Sequence, residues 1–158
     1  MRRTVLSLAV VVFAPAVTRA QETKATEPTP HISPAVGVHY GSPMRISAAA
    51  GLLFDMSQHR NDGVVIALEA GQQGGEVSAG YFRMLGRFGS GYSLRAAGLR
   101  TVGEPWNATP HTTYVGAEAS WMIAFGVGAR VGYLRRASRA NRLDSKDNLA
   151  SLSVGIGI

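Results

Sequence analysis

TYVGAEASWMIAFGVGARVGYLRR, residues Thr113 to Arg136, changes character at every step. From Val115, alternate residues are Val115, Ala117, Ala119, Trp121, Ile123 and Phe125. The residues between them are Tyr114, Gly116, Glu118, Ser120 and Met122. A two-residue period with one apolar face is the mark of a strand. Phe125-Gly126 turns the chain, and a second strand follows. It carries Val127, Ala129, Val131 and Tyr133 on one face, and Gly128, Arg130, Gly132 and Leu134 on the other. Glu118 and Arg130 thus stand among glycines, behind a continuous apolar face.

The same alternation spreads over the rest of the chain. It predicts strands at about 35–41, 44–54, 63–72, 76–85, 90–102, 112–125, 127–136 and 148–158. Most are near the 9 to 11 residues that a tilted strand needs to cross a bilayer. Gly41-Ser42-Pro43, Gln72 to Gly75 and Gly86 to Gly91 are turn signals between them. The first segment also reads as continuous with the second, which leaves seven strands instead of eight.

A sheet with two such faces must bury the apolar one. In a soluble barrel that face points inward and binds an apolar ligand, and the other face is a water surface rich in Lys, Glu, Asn and Thr. Here the other face is mostly Gly, Ala and Ser, and no Lys occurs between Lys24 and Lys146. Small residues suit a cramped lumen. The favoured reading is all-β: a single antiparallel up-and-down β-barrel of about eight strands, with its apolar face to lipid and its small and polar face to the lumen.

The ends of the chain point to export. MRRTVLSLAVVVFAPAVTRA has two early arginines, an apolar run and a small-residue close, which predicts a secretory signal peptide cut after Ala20. Its loss removes Arg2, Arg3 and Arg19, so Lys plus Arg falls from 16 to 13 against 10 Asp plus Glu, a net charge of about +3. Neither that charge nor export favours nucleic acid as a partner. Residues 21–34 are polar and Pro-rich and read as a flexible leader, with the barrel domain at 35–158. There is no cysteine to staple the fold.

Parity then names the candidate residues. Arg45, Glu69, Arg95, Glu118 and Arg130, with His39, fall on the lumen face. An eight-stranded barrel is just wide enough for its side chains to fill, so they predict a structural ion network and no open pore. A proton relay is the functional alternative. Phe54, Tyr92, Trp121 and Phe125 fall outward near one rim, and Tyr40 and Tyr133 near the other, as an interfacial aromatic belt requires. The basic segment RRASRANRLDSK offers Arg135, Arg136, Arg139 and Arg142 to lipopolysaccharide phosphates.

On its alternation, strand count and final strand LASLSVGIGI, the chain resembles the small eight-stranded outer-membrane β-barrels of Gram-negative bacteria, the OmpA/OmpX type. The resemblance covers about Ala35 to Ile158 and implies a monomeric, integral outer-membrane protein with a structural or envelope-interaction role, without cofactor or catalysis. Barrel-borne lipid acyl hydrolases are similar in size. For that activity the visible pairs are His39 with Ser47 and His111 with Thr113, and neither lies in a His-x-Ser-Asn motif. His31-Ile32-Ser33 sits in the leader, where a nucleophile and its base would have no fixed register. The glycines around Arg87 and Phe88 lack the Lys-Ser/Thr of a phosphate loop. Asn107-Ala108-Thr109 matches a glycosylation pattern by chance, and the four histidines are too dispersed to predict a metal site.

Overall fold

The computed structural model describes residues 31–56, 61–86, 89–137 and 146–157. The expected signal peptide and most of the expected leader lie outside them, as do Arg139 and Arg142. The chain forms eight strands: β1 (Ile32–Ser42), β2 (Arg45–Asp55), β3 (Asp62–Gly71), β4 (Gly74–Met84), β5 (Gly91–Thr101), β6 (Thr113–Ala124), β7 (Val127–Arg136) and β8 (Asn148–Gly157). Each pairs antiparallel with its neighbours, and β8 closes on β1, so the sheet is a barrel with no free edge. β1 starts at Ile32, so the end of the expected leader is strand, and β1 and β2 are separate. The two residues Phe125 and Gly126 join β6 to β7 with φ of 51° and 77°, the type I′ geometry that suits a twisted hairpin.

The register sets the shape. Ladder partners run from Ile32 through Phe54, Val64, Tyr81, Leu94, Ala119, Val131 and Leu152 back to Ser42. One circuit therefore advances ten residues along β1, which is the shear of the barrel. With a rise of about 3.3 Å per residue and strands about 4.8 Å apart, eight strands at that shear tilt about 40° from the axis. An 11-residue strand such as β1 then climbs about 25 Å.

That circuit also lies wholly on the outer wall. Val36, Val38, Leu68, Leu94, Trp121, Ile123, Val131, Leu152 and Ile156 are all exposed there. Between the rims the outward positions carry only apolar residues, alanine, glycine and tyrosine. Outward charges appear near the ends, at Asp62, Arg83, Arg100 and Arg135. The inward positions are small, polar or charged in the middle of the barrel.

The two ends of the barrel differ. One, the turn end, carries connections 56–61, 85–90 and 125–126 together with both ends of the described barrel. The other, the loop end, carries two tight hairpins and the long connections 102–112 and 137–147. At the loop end the lumen is filled by an apolar plug of Met44, Ala97, Leu99, Tyr114, Leu134 and Leu149, with Ala108 of the long loop packed on it. Loop 102–112 is stitched down over this plug. Trp106 N donates to Pro43 O at 3.1 Å, Val102 N to Gln73 O at 2.8 Å, and Thr109 N to the Tyr114 hydroxyl at 3.0 Å.

Candidate functional site

The residues that set this chain apart lie in the middle of the lumen. Alternation forces Glu69 of β3, Glu118 of β6 and Arg130 of β7 inward, where they are all but inaccessible. Arg130 is the hub. Its Nη1 and Nη2 donate to the two oxygens of Glu69 at 2.7 and 3.0 Å, a bidentate pair. Its Nη1 also lies 3.4 Å from Glu76 Oε1 and 3.5 Å from Glu118 Oε2. Its Nε donates to Ser153 Oγ at 3.2 Å. Ser47 donates to Glu69, and Ser151 donates to Glu118 at 3.0 Å. His39 Nδ1 is 3.4 Å from Glu69 Oε1 but outside hydrogen-bond alignment.

Glycines make this crowding feasible. A Cβ at Gly132 would meet Ser151 Oγ at 2.4 Å and Glu118 Cγ at 2.8 Å. A Cβ at Gly155 would meet His39 Cδ2 at 2.3 Å. Gly132 of β7 and Gly155 of β8 thus leave lumen space for Glu118, Ser151 and His39.

The structure therefore gathers Glu69, Glu118, Arg130 and His39, and adds a residue that the sequence reading passed over. Glu76 is 7% exposed and is the ladder partner of Glu69 across the β3–β4 hairpin. Its parity with Ser78 would have found it, but the predicted strand began at Glu76 and left it looking like a turn residue. Arg95 is inward and 3% exposed, beside this cluster but in none of its ion pairs. Arg45 is a correction. It does not join the network: it sits at the loop-end rim with its guanidinium 5.3 Å from the Trp106 ring centroid, a cation–π contact. Its strand begins there, so inward parity leads to the rim instead of the middle.

The six aromatics are all on the outer wall or its turns. Trp121, Phe125, Tyr40 and Tyr133 are exposed, while Phe54 and Tyr92 are half-buried. Tyr81 joins Tyr92 at the turn end with ring centroids 6.5 Å apart, and Trp106 meets Tyr40 edge-on at 5.6 Å. Among the basic residues, Arg135 is exposed and Arg136 is paired with Asp147 at 2.7 Å.

The nucleophile candidates are arranged for other work. Ser47 directs its hydroxyl to Glu69 and not to His39. His31 lies 3.2 Å from Asp55 and 3.0 Å from Ser33, but through the same ring nitrogen, Nδ1. A relay needs the base to face its acid with one nitrogen and the nucleophile with the other, so this trio does not form one. Among the described residues no group of three His, Asp or Glu is arranged to hold a metal ion.

At the turn end the lumen opens into a cavity of about 200 Å³ whose walls include Leu53, Val65, Phe82, Met84 and Met122, with Arg95, Ser93 and Ser120 among them. The hydroxyls of Ser93 and Ser120 are 2.7 Å apart. The interior thus runs from apolar plug through ion network to half-apolar cavity. No protein-family model, curated protein or solved structure matches this chain.

Proposed function

We propose that this protein is an integral outer-membrane β-barrel with a structural or envelope-interaction role, not a conducting pore. The observation that carries the reading is the outer wall: a charge-free apolar surface around the whole circuit, on strands that climb about 25 Å, against an apolar band about 25 Å tall on barrels of this kind. In water such a surface would far exceed the few hundred Å² of contiguous apolar patch that soluble monomers expose. A soluble barrel holding an apolar ligand needs the opposite arrangement, with that face inside. The filled lumen supports the non-conducting reading, since the plug and the Arg130 network lie in series along it. Arg135, exposed at the loop-end rim, and the basic sequence RRASRANRLDSK that it opens support contact with anionic lipid phosphates. Export through a signal peptide cut after Ala20 belongs to the same reading.

Heat-dependent electrophoresis tests it. Unboiled outer-membrane fractions in SDS are expected to give a band that shifts on boiling, as a detergent-resistant barrel does. A soluble periplasmic band without a shift would overturn the reading.

A further inference from the structure

We propose that the outer wall carries a docking site for a bilayer lipid with a phosphate-monoester headgroup, its phosphate held between Arg100 and Arg135 and one acyl chain laid in the groove below Arg100. The inference rests on the membrane reading and deepens it by naming the lipid and its place.

Both arginines face outward near the loop end, Arg100 on β5 and Arg135 on β7. Among the described residues neither has a carboxylate oxygen within 4.0 Å. Arg83, near the other rim, differs in having Asp62 as its ladder partner. The register puts Arg100 and Arg135 level. Gly98, Val115 and Arg135 are ladder partners across β5, β6 and β7, so Arg135 lies two strands on from Arg100 and two residues lower. At a tilt of about 40°, two strand steps climb about 6 Å toward the loop end, and two residues down a strand return about 5 Å. The two backbones thus stand at nearly one height, about 12 Å apart along the wall. Arg100 leans into that gap, since its Nη1 donates to Thr113 Oγ1 on the intervening β6 at 2.9 Å. Two cations at one level without a counter-charge favour an anion between them. A phosphate monoester, with a charge of about −1.5 to −2 at pH 7, matches the pair.

The wall below has room for the rest of a lipid. Ala48, Ala70, Gly75 and Arg100 share one ladder row, so nothing larger than a methyl group precedes Arg100 in it. Gly98 continues the hollow in the next row, beside Val77. The result is a groove of about 700 Å³, whose lining also includes Leu68 and Thr113. Rows climb toward the loop end, so Ala48 sits about 9 Å lower than Arg100. A chain whose head is at Arg100 therefore descends obliquely toward the middle of the wall, the direction that a lipid tail takes. Inorganic phosphate leaves the groove uncovered, and a fatty acid carries one charge for two arginines.

The test uses dioleoyl phosphatidic acid. The chain without its expected signal peptide is folded in dodecyl maltoside, checked by the heat shift in SDS, and titrated with the lipid in native mass spectrometry. One lipid per monomeric barrel is expected, bound at least tenfold more tightly than the diester dioleoyl phosphatidylglycerol. Arg100→Gln and Arg135→Gln should each weaken it at least fivefold. Gly98→Leu should do the same by filling the groove. A Cβ at Gly98 meets nothing nearer than Val77 Cγ1 at 3.6 Å, an ordinary contact, so that variant should fold. A folded barrel that takes up no phosphatidic acid would overturn this proposal alone, whereas a chain with no heat-shifted band would overturn the membrane reading with it. Undiminished binding to folded Arg100→Gln or Gly98→Leu would also overturn it. So would phosphatidylglycerol, oleate or inorganic phosphate binding as tightly, or a lipid-free dimer in which a second copy covers the groove.

Discussion

Replacing Arg130 by Met puts the ion network to its severest test. Met keeps much of the length and apolar stem of the side chain but removes the only cation within 4.0 Å of Glu69, Glu76 and Glu118 among the arginines and lysines described. Glu69 loses bonds of 2.7 and 3.0 Å and keeps Ser47 and the His39 ring. Glu118 keeps Ser151. Breaking one partner of a buried ion pair costs about 3 to 5 kcal/mol, because the remaining charge stays buried. That is a loss of about two to three and a half orders of magnitude in the folding constant, at about 1.4 kcal/mol per decade. The measurement is urea unfolding in lipid vesicles followed by tryptophan fluorescence, using Trp121 and Trp106 as reporters. The double variant Arg130→Met with Glu69→Gln should recover part of the loss, since it removes one of the stranded charges. A loss under about 1 kcal/mol for Arg130→Met would refute the account of Arg130 as the hub, because surface-like pairs are worth that little.

Three further substitutions probe the wall, the packing and the plug. Ala117→Arg places a charge on the outer wall, where Ala117 pairs with Ala96 and Tyr133; a cost of about 2 to 4 kcal/mol at mid-bilayer should abolish the heat-shifted band, and normal assembly would count against the orientation. Gly132→Val forces a Cβ within 2.8 Å of Glu118 Cγ and 2.4 Å of Ser151 Oγ, so unfolding should come about 1 to 3 kcal/mol earlier. Leu134→Ala hollows the fully buried plug and should cost about 2 to 5 kcal/mol of stability, yet planar-bilayer recordings should stay silent because the ion network below still blocks the lumen.

Much of this architecture is legible in alternation, because a strand pointing at two environments must write them in alternate residues. The strands ended within a few residues of their predicted limits, and Glu69, Glu118, Arg130 and His39 were on the lumen face by parity alone. Height along the axis was not legible. Arg45 and Arg130 share inward parity, but one meets Trp106 at the rim and the other meets three carboxylates in the middle. Glu76 was missed for a related reason: its neighbours Gly74 and Gly75 read as turn, while the hairpin spends only Gln72 and Gln73 on the turn itself. Leu99, Tyr114, Leu134 and Leu149 come from four strands. Nothing in any one strand announces that they meet as a plug.

The sequence by itself determined which way each side chain faces and that about eight antiparallel strands follow one another, because both are set by local period and by turns. Only the tertiary structure decided the shear of ten residues, the level at which each inward side chain sits, and therefore which charges meet. Register is a property of pairs of strands, and closure makes all eight pairs depend on one another. Arg95 is the clearest consequence. Its ladder partner is Glu118, yet the Glu118 carboxylate lies 3.5 Å from Arg130 on the neighbouring strand and not within 4.0 Å of Arg95.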